Sequence, residues 1–409
     1  FAAVRRLLVH RGTHGELQVA SDKRPSHPSG IVSAITSSGF SPASVRHQPR
    51  SCWATIRMES ANCGCEDNEL VPRIAAGMLA SPPRSQFVKT QRLVTFLAAA
   101  MLNLVTMQVN AQEAHPVWAY PTNPPDFKAA SDDASIRRVP DSGAGYTLTQ
   151  TRDRFAATDW HPGDHPPMPE VVARGRKPDV FACGWCHRAD GSGGPENANL
   201  MGLPYAYFVQ QMKDFRSGDR KTSIAKRAPT ALMIAGSKTI SDADIDEAAR
   251  YFSSLKPRSN RRVVETPLVA KTTVEGWVLV DTGTGEKEPI GQRIIEVPEK
   301  PADFESRDSR ARFIVYAPLG SVSRGMELVR TGAEGRSVPC ATCHGPELKG
   351  TDTIPPIVGR SPSYLARQIH DIRSGARAGP NASQMKPVVE KLTEGDIVAI
   401  TAYLASRAP

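Results

Sequence analysis

Cys183-Gly184-Trp185-Cys186-His187 and Cys340-Ala341-Thr342-Cys343-His344 are two copies of one five-residue pattern, set 157 positions apart. Two thiols at this spacing can each add to one vinyl group of a single porphyrin, and the adjoining imidazole then sits under the ring within reach of iron. In a chain of 409 residues with 7 Cys and 10 His, one such pattern arises by chance roughly three times in a thousand. Two other readings use the same thiols. All four could close on one zinc ion, or each pair could cycle through a disulfide. The wide separation exceeds the usual short zinc loops, and both copies carry the extra His. Covalent haem is the reading that uses every residue.

A shift of 157 residues superposes more than the motif. Gly202 falls on Gly359, Tyr207 on Tyr364, Gln211 on Gln368, and Asp214, Arg216, Ser217 and Gly218 on Asp371, Arg373, Ser374 and Gly375. Beyond Gly218 the offset reads as 152, so the first copy carries five extra residues there. Met233 then meets Met385, Ser241 meets Thr393, Asp244 meets Asp396 and Tyr251 meets Tyr403. Self-similarity on this scale means tandem domains rather than a solenoid of short repeats.

Each copy has the same order of elements. A helix precedes the motif, clearest from Ser323 to Arg330. A middle helix runs from Tyr205 to Arg216 or from Ser363 to Arg373 and into Ser-Gly, where glycine takes the left-handed cap without strain. A last helix opens at Ser241 or Thr393, each followed three residues on by Asp, close to a capping box. Ile245, Ala248, Phe252 and Leu255 recur at helical spacing, as do Ile397, Ile400 and Leu404.

The adjoining His supplies one axial ligand to iron, and the other decides between electron transfer and ligand chemistry. After the second motif Met385 is the only Met. Its competitor is His370, which the first copy replaces with Lys213. In the first copy Met201, Met212 and Met233 compete, and Met233 alone aligns with Met385. A lone Met is normally a core filler; the repetition singles out these two.

With these residues in place the chain resembles the bacterial diheme cytochromes c built from two tandem class I domains, over roughly residues 165–258 and 320–409. The resemblance implies a mainly α fold, with three to four helices around a covalent haem c in each domain. It implies two haems, held by Cys183 and Cys186 and by Cys340 and Cys343, with His187 and Met233 or His344 and Met385 as axial iron ligands. It also implies electron transfer between periplasmic or membrane partners. In this family a Pro before the mid-loop Gly usually offers its carbonyl to the proximal His. Pro355 fits that place, and the first copy has Ala198 there.

The flanks are read separately. Residues 1–77 resemble no packed domain and are expected to be a disordered upstream extension from a start assigned too early. Arg84, Lys89 and Arg92 precede an apolar run from Leu93 to Val109, which describes a signal peptide over 78–111 cleaved after Ala111. An uncleaved membrane anchor is the alternative, for which the run is marginally long. Cys52, Cys63 and Cys65 have no assigned role. Residues 112–164 read as an extended arm. Residues 259–319 read as a β-containing connector, with strands near 262–264, 274–280, 293–297 and 313–317 and a turn at Thr282-Gly283-Thr284-Gly285.

The formal charge of +9 is concentrated in the leader, since residues 1–111 carry +6 and the remainder only +3. Haem propionates lower that further, so the basic composition is no argument for nucleic acid. The expectation is a periplasmic electron carrier, not an enzyme, whose partners are redox proteins: a dehydrogenase, a terminal oxidase or another respiratory component. Contact with a membrane is expected only if the signal segment stays uncleaved. A dehydrogenase cytochrome subunit is the alternative, and a diheme peroxidase the weaker one, since two aligned Met residues leave no open iron position.

Overall fold

The computed structural model describes residues 115–409. The expected upstream extension, the signal segment at 78–111 and Cys52, Cys63 and Cys65 lie outside the described residues. The described residues begin as an irregular arm, in which α1 (Leu148–Thr151) is a single helical turn. Aromatic residues hold the arm down. Tyr120 is buried and donates its hydroxyl to Asp371 Oδ1 at 2.8 Å, and Trp160 Nε1 donates to the Ser306 carbonyl at 2.8 Å.

The first helical half comprises α2 (Glu170–Ala173), α3 (Cys183–His187), α4 (Tyr205–Ser217), α5 (Ala228–Thr239) and α6 (Asp242–Ser254). α4 ends at Gly218 with φ of 86°, as the Ser-Gly signal requires. At the start of α6, Ser241 Oγ accepts from the Asp244 amide at 3.1 Å, a cap worth about 1 kcal/mol. Ile245, Ala248 and Phe252 turn inward, and the Phe252 ring stacks on Phe208 at 5.9 Å.

The connector follows as β1 (Arg261–Glu265), β2 (Leu268–Ala270), β3 (Thr272–Glu275), β4 (Val278–Asp281), β5 (Lys287–Pro289), β6 (Ile295–Pro298), α7 (Pro301–Glu305) and β7 (Phe313–Ala317). β7 is the central strand of a three-stranded sheet, parallel to β1 with Val263 opposite Val315, and antiparallel to β6 with Ile314 opposite Val297. Two antiparallel ribbons, β2–β5 and β3–β4, complete it. The strand expected at 274–280 is a hairpin instead. Gly276 and Trp277 both take positive φ, the conformation of a tight two-residue turn, and Asn123 of the arm accepts the Trp277 amide at 3.0 Å.

The second half contains α8 (Ser321–Thr331), α9 (Ala341–His344), α10 (Pro362–Arg373), α11 (Pro380–Ser383), α12 (Lys386–Val389) and α13 (Glu394–Ser406). α8 and α13 cross at Gly325, where an added Cβ would stand 2.0 Å from the Ala399 carbonyl. The helix expected before the motif is therefore long here, whereas α2 in the first half has four residues. α13 opens with the full capping box of Thr393 and Asp396. One apolar core fills the first half; another runs from the connector sheet at Val297 and Val315 into the second half at Leu365 and Ile397. Arg261 and Glu296 stitch that junction as a fully buried pair at 2.7 Å, and Glu296 Oε2 also accepts from Ser361 Oγ at 2.6 Å.

Candidate cofactor sites

Each motif folds as a single helical turn that buries its histidine. α3 carries Cys183, Cys186 and His187; α9 carries Cys343 and His344, with Cys340 as its N-cap. His187 Nδ1 lies 2.8 Å from the Ala198 carbonyl, and His344 Nδ1 lies 2.8 Å from the Pro355 carbonyl. A carbonyl only accepts, so Nδ1 holds the ring proton. Burial pushes the His187 imidazole down to about 4 and pushes that of His344 down as well. Both rings are neutral at pH 7, with Nε2 unprotonated, the state in which imidazole binds a metal. The first loop achieves this geometry with Ala where the second has Pro, because only the path of the backbone matters.

The thiols are in the opposite state from a reactive pair. Burial pushes Cys183 up to about 12 and Cys186 and Cys340 to about 11. A freely reactive thiol–disulfide pair works through thiolate, and burial disfavours that form at these three. The two cysteine pairs also line separate cavities, so the four thiols do not converge on one ion.

The first cavity holds about 1050 Å³ of non-protein space, part of it open to solvent, and is lined by Cys183, Cys186, His187 and Met233. Met233 lies on α5. Met212 also borders this cavity, whereas Met201 is packed in the apolar core away from it. The second cavity, about 1660 Å³, is lined by Cys340, Cys343, His344 and Met385, the last at the start of α12. His370 is off this lining. It is buried near Tyr120, with Nε2 3.4 Å from Glu394 Oε2.

Both cavities are mostly apolar and carry buried guanidinium groups: Arg220 on the first, Arg360 and Arg377 on the second. Arg360 Nε and Arg377 Nε have no hydrogen-bond partner within the protein. Burial pushes Arg360 down to about 10, still protonated at neutral pH. A flat apolar macrocycle with two carboxylates and an iron centre suits this set of groups. Apolar walls, spare cationic donors, two thiols and an unprotonated imidazole are all present, so the residues fit haem.

The sequence reading missed how the two cavities meet. Tyr207 and Tyr364 line both. Arg220 donates to Gln211 Oε1 and Tyr364 Oη, and Arg377 donates to Gln368 Oε1 and Tyr207 Oη, all at 2.9 Å. The 157-residue register therefore continues past Gly218 to Arg220 and Arg377. The coincidence of Tyr and Gln in both copies was the available signal.

Residues 325–408 match the family model described as Cytochrome c. The chain is 25% identical over 235 residues to the thiosulfate dehydrogenase electron acceptor of Thiomonas intermedia, covering 56% of this chain and 80% of that protein. It is 26% identical over 228 residues to cytochrome c4 of Pseudomonas aeruginosa, covering 54% and 82%. Over 69 residues it is 39% identical to cytochrome c-554(548) of Halomonas halodenitrificans, covering 17% of this chain and 83% of that protein.

Proposed function

The chain belongs to the cytochrome c family, and on that premise we propose a periplasmic carrier that moves single electrons through two covalently bound haems. The supporting observation is that one arrangement occurs twice: a cysteine pair, a buried imidazole hydrogen-bonded to a backbone carbonyl, and a Met, all on one cavity. Cys183 and Cys186 would hold the first haem, and His187 and Met233 would bind its iron. Cys340 and Cys343 would hold the second, with His344 and Met385. Bound haem supplies a reversible one-electron couple, whose potential a thioether ligand raises.

The chain's own residues do the rest. The Nδ1–carbonyl bonds fix each imidazole's tautomer and ring orientation. The apolar linings exclude water, and Arg220, Arg360 and Arg377 would offer cationic donors to a bound haem's carboxylates. A second reading makes the protein the electron-accepting subunit of a dehydrogenase complex; the Thiomonas relative is named a thiosulfate dehydrogenase electron acceptor. A pyridine haemochrome assay tests the main reading and is expected to return two haems per chain; one would overturn it. Co-purification with a catalytic subunit would favour the second reading over a free shuttle.

A further inference from the structure

We infer that electrons enter and leave across the exposed face of the second motif, because the arm and the connector cover the corresponding face of the first. This rests on the two-haem reading above. The two motifs are copies, so their surroundings can be compared position by position. Every residue from 187 to 196 is buried, while in the equivalent stretch 344–353 only His344 and Leu348 are. Cys343 is exposed and its counterpart Cys186 is not.

The cover over the first motif is built from both added segments. Trp185 Nε1 donates to the Thr151 carbonyl of α1 at 3.2 Å. From the connector, Arg307 donates to the Trp185 carbonyl at 2.9 Å and lays its guanidinium 4.1 Å from the indole centre. Arg188 lies over the Phe304 ring of α7. Gly184 packs so closely on the arm that an added Cβ would stand 2.7 Å from Ala157 Cβ. At the second motif Ala341 and Thr342 occupy the places of Gly184 and Trp185, and Thr342 is exposed.

Electron transfer weakens steeply with distance, so a haem edge beneath a second layer of protein is a poor contact point. The open edge is apolar, with Val338 43% exposed and Pro339 and Pro346 beside it. Around it Lys349 pairs with Glu347 at 3.0 Å and Arg336 with Asp396, and Asp352 is exposed. The partner that fits is a one-electron redox protein whose own cofactor edge lies in a largely apolar face. One electron passes to an oxidised partner, reducing it by one and oxidising the second site by one. The first site then refills the second. No bond changes and no proton moves.

The test uses the holoprotein with an oxidised blue-copper protein as partner, after haem counting of every variant. Val338→Glu and Thr342→Glu are each expected to lower the bimolecular rate at least tenfold, for oxidation of both haems. Arg154→Glu, on the exposed arm beside Trp185, is expected to stay within twofold. Hydrogen exchange should show the partner protecting 338–354 and not 181–196. Equal slowing by Arg154→Glu, unchanged rates in the second-site variants, or protection of 181–196 would each overturn the proposal with two haems present. A count of one haem would instead overturn the two-haem reading beneath it.

Discussion

Arg220 and Arg377 pair backbone to backbone in an antiparallel bridge, and each guanidinium reaches past the other to the tyrosine of the opposite half, at 2.9 Å in both directions. Flanking bonds from the Lys221 amide to the Ala376 carbonyl and from the Ala378 amide to the Asp219 carbonyl, both 2.7 Å, complete a local twofold. The duplicated halves thus meet through equivalent residues. Arg220→Ala leaves the Tyr364 hydroxyl, and Arg377→Ala the Tyr207 hydroxyl, without its guanidinium donor, while each glutamine keeps the other arginine, a loss of about 1–3 kcal/mol. Urea melts should show it, and the double variant should cost more than the sum of the two, because it alone takes both arginines from each glutamine.

Iron ligation gives a sharper test. Met385→Ala should open the second site to carbon monoxide and lower its reduction potential. His370→Ala should leave the spectrum unchanged, because His370 faces Tyr120 and Glu394 rather than the cavity. At the first site Met233→Ala should act like Met385→Ala, and Met212→Ala should preserve the spectrum. A reversal of either pair would reassign the ligand.

Acid should weaken the ion pairs that hold the second half. The hydrogen bond from His370 outweighs burial and, with Arg373, holds the Glu394 carboxyl down to about 2. Burial pushes Asp396 up, but bonds from Arg336, Arg324 and Thr393 more than offset this and hold it well below the usual carboxylate range. A carboxyl held below its unfolded value stabilises the fold above about pH 4 and loses that contribution as the pH falls through its folded value. Melting temperature should therefore drop between about pH 4 and pH 2. In Asp396→Asn that drop should be shallower from a lower starting point.

Gly184 and Ala341 are equivalent positions with opposite tolerance. Gly184→Ala forces a methyl against Ala157 and the Val172 carbonyl, an overpacking worth about 1–3 kcal/mol. Ala341→Gly creates no clash and should cost about 1 kcal/mol through backbone entropy. Thermal melts of the two holoproteins compare them directly.

The connector should behave as part of the second half. Glu296→Ala strands the fully buried Arg261, which costs about 3–5 kcal/mol, and also frees Ser361 at the start of α10. A single cooperative transition at lower denaturant is expected, without separate melting of the connector.

What the sequence discloses follows from how local the cause is. Gly218 and Thr393 mark helix ends because caps depend on a few neighbouring residues. The strand at 313–317 reads correctly from its apolar run, while three-residue β2 and β5 are too short to show a period. The turn at Gly276-Trp277 was hidden because Trp is a poor signal for positive φ, and its support comes from Asn123, far away in the chain. The motif and both Met positions were legible as a repeat. The covering of one copy was not, although Gly184-Trp185 against Ala341-Thr342 is its local trace.

The bond between Tyr120 and Asp371 spans 251 positions of sequence, and this sets an order of assembly. The arm cannot seat Trp118 and Tyr120 until the last quarter of the chain has been delivered and folded around them. Residues 304–307, which cover Trp185, also arrive long after the motif itself. During synthesis the first motif therefore stays uncovered for a long interval. Closure comes afterwards, as one of the final events in the birth of the molecule.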